Sequence, residues 1–100
     1  METLKLMRQT PCVYTCDGDK GEFINIEIDL PGVNKEDIVF KVTENSFSVK
    51  GQAEDVEYAG TFTICCPVVP EKAVAKHTNN MLIVTIPYRE LHKEFDLKID

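Results

Sequence analysis

The side chains best able to ligate a metal or act as nucleophiles are four cysteines, two histidines and two serines. Cys12 and Cys16 are separated by three residues, and Cys65 and Cys66 are adjacent. Four thiolates would suit zinc, but structural zinc sites present paired Cys knuckles on turns. Neighbouring residues of a strand point to opposite faces, so Cys65 and Cys66 on an extended segment cannot both reach one ion. The pattern predicts free, reduced thiols and no metal. His77 and His92 have no nucleophile motif near them, and Ser46 and Ser48 lie on the polar side of an alternating segment. No Gly-x-Ser-x-Gly elbow, phosphate loop or His-Glu-x-x-His occurs. Asp17, Asp19 and Glu22 around Gly18 resemble a fragment of a calcium loop without its remaining ligands, so they are read as a solvated acidic turn. The expectation is therefore a chain that is not an enzyme, with no catalytic residues and no cofactor.

Composition narrows the class. One hundred residues make one domain, and 43% hydrophobic content supports an ordinary core. A net charge of −6 argues against nucleic acid as a partner, since phosphate binding draws on Lys and Arg patches. No apolar run approaches the ~20 residues of a membrane helix, and Met1–Cys12 lacks the apolar centre of a signal peptide. A cytoplasmic protein without a membrane partner is expected, and a reducing compartment keeps its thiols free.

The elements that position these residues are strands. Ile24, Ile26, Ile28 and Leu30 alternate with Asn25, Glu27 and Asp29, which marks a strand with one buried face. Pro31-Gly32 stops it, and residues 33–37 form a short connection with room for one helical turn. Ile38, Phe40 and Val42 alternate again, as do the residues of Ser46–Lys50. Polar, acidic Gln52–Ala59 reads as a loop, and Thr61–Cys66 as the next strand. Ala73–Thr78 is a weaker strand. Asn79-Asn80 then suits a two-residue primed hairpin turn before Met81–Ile86, because Asn tolerates positive φ. Cys12–Cys16 adds a short edge strand. About seven short strands and no amphipathic helix predict an all-β, immunoglobulin-like antiparallel sandwich. Its expected core is Ile26, Ile28, Phe40, Val42, Phe62, Ile64, Leu82 and Val84, and truncating Phe40 or Phe62 is expected to cost ~3–5 kcal/mol.

The punctuation of these strands resembles the alpha-crystallin domain of small heat shock proteins. Ile28-Asp29-Leu30-Pro31-Gly32-Val33 with Lys35-Glu36-Asp37-Ile38 is similar to that family's Asp-Leu-Pro-Gly signature. Ala75 to Leu82, followed by Ile86-Pro87, is similar to its closing hairpin, with Asn80 where the family carries Gly. The resemblance implies an alpha-crystallin-type sandwich over residues 12–88, a short arm over 1–11 and a C-terminal extension over 89–100. It further implies an ATP-independent holdase that takes up partly unfolded client proteins on exposed apolar surface. The short stretch between Gly51 and Thr61 resembles instead the CS domains, which implies an alternative: an adaptor docking on a folded chaperone partner.

If Phe40 and Val42 point inward, Val39 points out, and if Leu82 and Val84 point inward, Met81 and Ile83 point out. With Val74 these are the expected interaction residues, together with Leu97 and Ile99 of the extension. Leu97-Lys98-Ile99 is similar to the family's I-x-I tail, which docks on a neighbouring domain. An intrachain or self-paired strand is the competing reading, since a tethered segment has a high effective concentration. Large particles of the family use a strand exchanged between partners and a long N-terminal arm. Here the stretch before Thr61 is too short for a strand with two connections at ~3.3 Å per residue, and few residues precede the domain. The expectation is a monomer or weak homodimer.

Overall fold

The computed structural model describes residues 7–18, 20–89 and 98–100. Eight strands form two four-stranded sheets packed face to face. They are β1 (Met7–Gln9), β2 (Val13–Asp17), β3 (Phe23–Asp29), β4 (Ile38–Val42), β5 (Ser46–Gln52), β6 (Val56–Thr63), β7 (Val74–Thr78) and β8 (Met81–Pro87). The first sheet runs β1-β6-β5-β4 and the second β2-β3-β8-β7. Every pairing is antiparallel except β1 with β6. Two single 3-10 turns, Lys35–Asp37 and Pro70–Lys72, complete the regular structure among the described residues. The expected all-β sandwich is the observed one.

Period-two alternation places the core. Ile24, Ile26 and Ile28 of β3 and Leu82, Val84 and Ile86 of β8 are buried on the inner face of the second sheet, while Phe47 and Val49 of β5 oppose them. Leu30, Val33, Ile64, Val68 and Tyr88 close the ends. Three expected core residues differ from this. Phe40, Val42 and Phe62 are half-buried, packed against the core from the flanking strands rather than enclosed in it. The reason is lateral position: β4 is a sheet edge and β6 has only short β1 beyond it, so their inner faces are covered from one side. Phe47 holds the centre instead, stacked between Phe40 at 5.7 Å and Phe62 at 5.1 Å between ring centroids.

The turns follow from residue type. Asn79 and Asn80 adopt φ of 48° and 65°, the double left-handed geometry of a primed turn, which joins β7 to β8. Gly32 has φ of 76°, which explains the Pro31-Gly32 stop after β3.

Two sequence expectations are corrected between residues 52 and 66. Gln52–Ala59 is not a loop: β5 runs through Gln52 and β6 starts at Val56, leaving Ala53–Asp55 as the connection. The Ala53 amide donates to the Val56 carbonyl at 2.8 Å to close it. The acidic composition hides a sound alternation, in which Val56, Tyr58, Gly60 and Phe62 share the inner face. Correspondingly, Thr61–Cys66 is not one strand, because β6 ends at Thr63. Beyond it the Ile64 amide donates to the Asn45 carbonyl and the Val68 amide to the Glu44 carbonyl, each at 2.8 Å. Those bonds hold residues 64–68 against the β4–β5 turn, and the chain bends at Cys65-Cys66 instead of staying extended.

Candidate functional site

The features of this scaffold that could engage another molecule are its sheet edges and its exposed apolar residues. Among the described residues, β4 and β7 are unpaired along their outer edges, as are β1 and β2 at the opposite ends of the two sheets. Such an edge presents free amides and carbonyls in a row, ready to pair with an incoming strand. On β4 the inward residues Ile38, Phe40 and Val42 are half-buried, so the edge also offers apolar area. On β7 the inward positions are Ala75 and His77, opposite Val84 and Leu82. Nε2 of His77 is buried and has no hydrogen-bond partner among the described residues. A buried polar atom left so costs free energy that an incoming group would recover.

The expected interaction residues fall on two separate faces. Val39 is 51% exposed on the outer face of the first sheet, level with Lys50. Val74 is 67% exposed on the outer face of the second, at the level of Thr85. Met81 and Ile83 share that outer face but are half-buried, on a strand paired on both sides, Met81 between Asp29 and Thr78 and Ile83 between Glu27 and Lys76. These residues therefore do not form a single patch. Ile99 is 92% exposed, and Lys98–Asp100 are in no strand. Leu97, like His92 and Asp19, lies outside the described residues.

Alternation alone would have pointed to Tyr14, 60% exposed beside Glu27 on β3, had β2 been taken as an ordinary two-faced strand. Tyr88 is a further residue that the sequence reading passed over. It continues the inward series Leu82, Val84, Ile86 past Pro87, and its hydroxyl donates a short hydrogen bond to the Asp17 carboxylate, tying β8 to β2. Burial pushes its phenol well above the usual range, and the hydrogen bond and charge of Asp17 push the same way. A phenol whose proton is held more tightly when folded contributes stability that is complete below pH ~10, where the unfolded side chain begins to ionise, and that falls as pH rises further. Tyr88→Phe is thus expected to flatten the alkaline decline in stability, while costing ~1 kcal/mol at neutral pH through the lost bond. Urea titrations of both proteins at stepwise higher pH check this. Parallel curves would show that Tyr88 is not the group responsible.

Cys65 and Cys66 lie together rather than on opposite faces, with Sγ atoms 3.2 Å apart in an S–H···S contact. This overturns the strand geometry expected for them, and the cause is the bend after β6. All four cysteines are free thiols. Among the described residues no helix is long and apolar enough to cross a membrane.

No protein-family model and no curated protein matches the sequence. Solved structures do match the fold. Heat shock protein 16.0 from Schizosaccharomyces pombe superposes with a TM-score of 0.71 at 19% identity, over 93% of this chain and 77% of that one. The hspA structure from Xanthomonas axonopodis gives 0.73 at 16% identity, over 84% of this chain and 98% of that one. A small heat-shock protein from Xylella fastidiosa gives 0.69 at 16% identity, over 92% and 97%. The eight strands of this chain thus build the alpha-crystallin-type sandwich of the small heat shock proteins.

Proposed function

We propose that the chain is an ATP-independent holdase that takes up partly unfolded proteins along its unpaired sheet edges. The observation that carries this reading is the β4 edge, where a free backbone row runs beside the half-buried Ile38, Phe40 and Val42. An extended client segment adds a strand there by main-chain hydrogen bonds, and its alternate side chains cover the apolar row. Clients so held bury apolar area at ~25 cal/mol/Å² against the sandwich instead of against one another. Val39, Val74 and Ile99, all exposed, enlarge the surface available, with Met81, Ile83 and Leu97 as the remaining candidate contacts. The net charge of −6 keeps the complex soluble. In this reading residues 12–88 are the working sandwich, to whose first sheet the preceding arm adds β1, and 89–100 are an extension whose Leu97-Lys98-Ile99 segment engages a sheet edge. The protein acts in the cytoplasm and is not an enzyme.

One feature favours the second reading, an adaptor resembling CS domains. The Ala53–Asp55 connection closes β5 and β6 into a plain hairpin without an additional strand. Light scattering of a heat-aggregating enzyme separates the two. A holdase suppresses aggregation at near-stoichiometric ratio, and that is the expected result. Absence of suppression, with binding to one defined folded partner, would replace it by the adaptor reading.

A further inference from the structure

The bend that follows β6 has produced a second feature, unconnected with the sheet edges. Cys65 is exposed and Cys66 half-buried, and their sulfurs stand 3.2 Å apart on a segment anchored at both ends. The Ile64 and Val68 amides bond the β4–β5 turn, and the Arg89 amide bonds the Pro67 carbonyl at 2.9 Å. Arg89 Nε also pairs with Glu44 at 2.8 Å, so the turn that carries these bonds is itself fixed to the chain after β8. The two thiols are consequently held side by side before any ligand arrives. Beside Cys65 a cavity of about 300 Å³ opens between the sheets, lined by Cys65, Cys16, Phe47, Ile24, Asp17 and Tyr88, among others.

We propose that Cys65 and Cys66 form a vicinal dithiol site that chelates a soft trivalent metalloid, with a monosubstituted arsenic(III) compound as the representative ligand. Three considerations select this class. First, an ordinary disulfide is not the natural use of the pair. Adjacent Cα atoms are about 3.8 Å apart, short of the roughly 4.4–6.8 Å of relaxed disulfides. An internal bridge would be strained and easily reduced, leaving the dithiol as the resting form. Second, among the described residues no set of three His, Cys, Asp or Glu side chains is placed to hold a metal ion. A zinc site wants four ligands, whereas a monosubstituted arsenic(III) centre has two positions to fill. Third, the adjoining cavity has room for the organic substituent, since a buried space of about 150 Å³ already admits benzene.

The chemistry balances without a redox partner. With an aryl arsine oxide, the arsenic–oxygen double bond breaks and two arsenic–sulfur bonds form. The two thiol protons leave with the oxygen as one water molecule, and arsenic stays trivalent. Chelation supplies the affinity, because once one sulfur has bonded the second reacts intramolecularly.

Phenylarsine oxide added to the full chain, kept reduced by a phosphine, tests this by intact mass and by tryptic mapping. One phenylarsenic per chain is expected. It should survive a large excess of the monothiol glutathione, leave with a dithiol such as dimercaptopropanol, and map to fragment 51–72, which holds Cys65 and Cys66. Cys65→Ser and Cys66→Ser should each weaken retention ~10²–10⁴-fold, the gain that linking two sites provides. Cys12→Ser should leave it unchanged. Labelling of fragment 9–20 instead, an adduct removed by glutathione, or no adduct would each overturn the proposal. The mapping needs only the unsubstituted protein, so a variant that fails to fold does not shield it.

Discussion

Phe47→Ala is expected to destabilise the sandwich by ~3–5 kcal/mol, the largest loss of any single truncation in this chain. Phe47 is 2% exposed and its ring lies between those of Phe40 and Phe62, so removing it strips both neighbours of a stacking partner. Transfer of the ring to water and the void left behind both count, since β5 is interior to its sheet and cannot collapse sideways. The same truncation at Phe40 or Phe62 should cost ~1–2 kcal/mol, because those rings are half-buried and less apolar area is lost. Alternation alone led to ~3–5 kcal/mol at Phe40 and Phe62 and left Phe47 out of the core. Urea denaturation of the three variants measures the difference. A Phe47→Ala loss no larger than that of Phe40→Ala would mean that the centre of the core is misassigned. A domain of this length loses ~4–8 °C in Tm per kcal/mol, so the difference is also visible by thermal melting.

Sedimentation at micromolar concentration is expected to show a monomer or weak dimer, an order of magnitude in mass below a particle of twelve or more subunits. The connection of β5 to β6 is the reason. From Glu57 to Thr63, β6 pairs with β5 of the same chain, Gln52 with Glu57 through Ser46 with Thr63. Ala53–Asp55 leaves no residues for a strand that could be exchanged with a partner. On its other side β6 is met by β1, which covers Val56–Tyr58. Association then rests on the β2, β4 and β7 edges or on the extension, and edge pairing over five-residue strands is short. A chain ending at Arg89 run beside the full chain apportions what association there is. A stable large particle would refute the expectation, and a dimer unaffected by the truncation would assign the contact to the sheet edges.

Both results trace back to what linear order can and cannot carry. The alternation of Ile24, Ile26 and Ile28 and of Leu82, Val84 and Ile86 assigned β3 and β8 their buried faces, because a strand's side-chain period is set by local geometry. Pro31-Gly32 and Asn79-Asn80 located the stops for the same local reason, since their φ preferences act within one residue. Cysteine placement was legible only halfway. Adjacency was visible, but the side on which each sulfur lies depends on whether residues 64–68 remain extended. Bonds from Ile64 and Val68 to Asn45 and Glu44, about twenty residues earlier, decide that.

Lateral position was the part that no local rule supplies. Phe40, Phe47 and Phe62 occupy equivalent inward positions on three strands, and nothing in their own neighbourhoods ranks them. Sheet order ranks them: β5 lies between β4 and β6, so Phe47 is enclosed from both sides and the other two are not. Val39 and Val74 were likewise recognisable as outward-facing, but that they occupy opposite faces of the sandwich followed only from which strands share a sheet. From its sequence alone this protein determined which way the side chains of β3, β4, β5 and β8 point and where most strands stop. The tertiary structure alone decided which strand is central, which edges stay open and which thiols meet. Those outcomes depend on contacts between residues far apart in the chain, and backbone propensity does not encode such contacts.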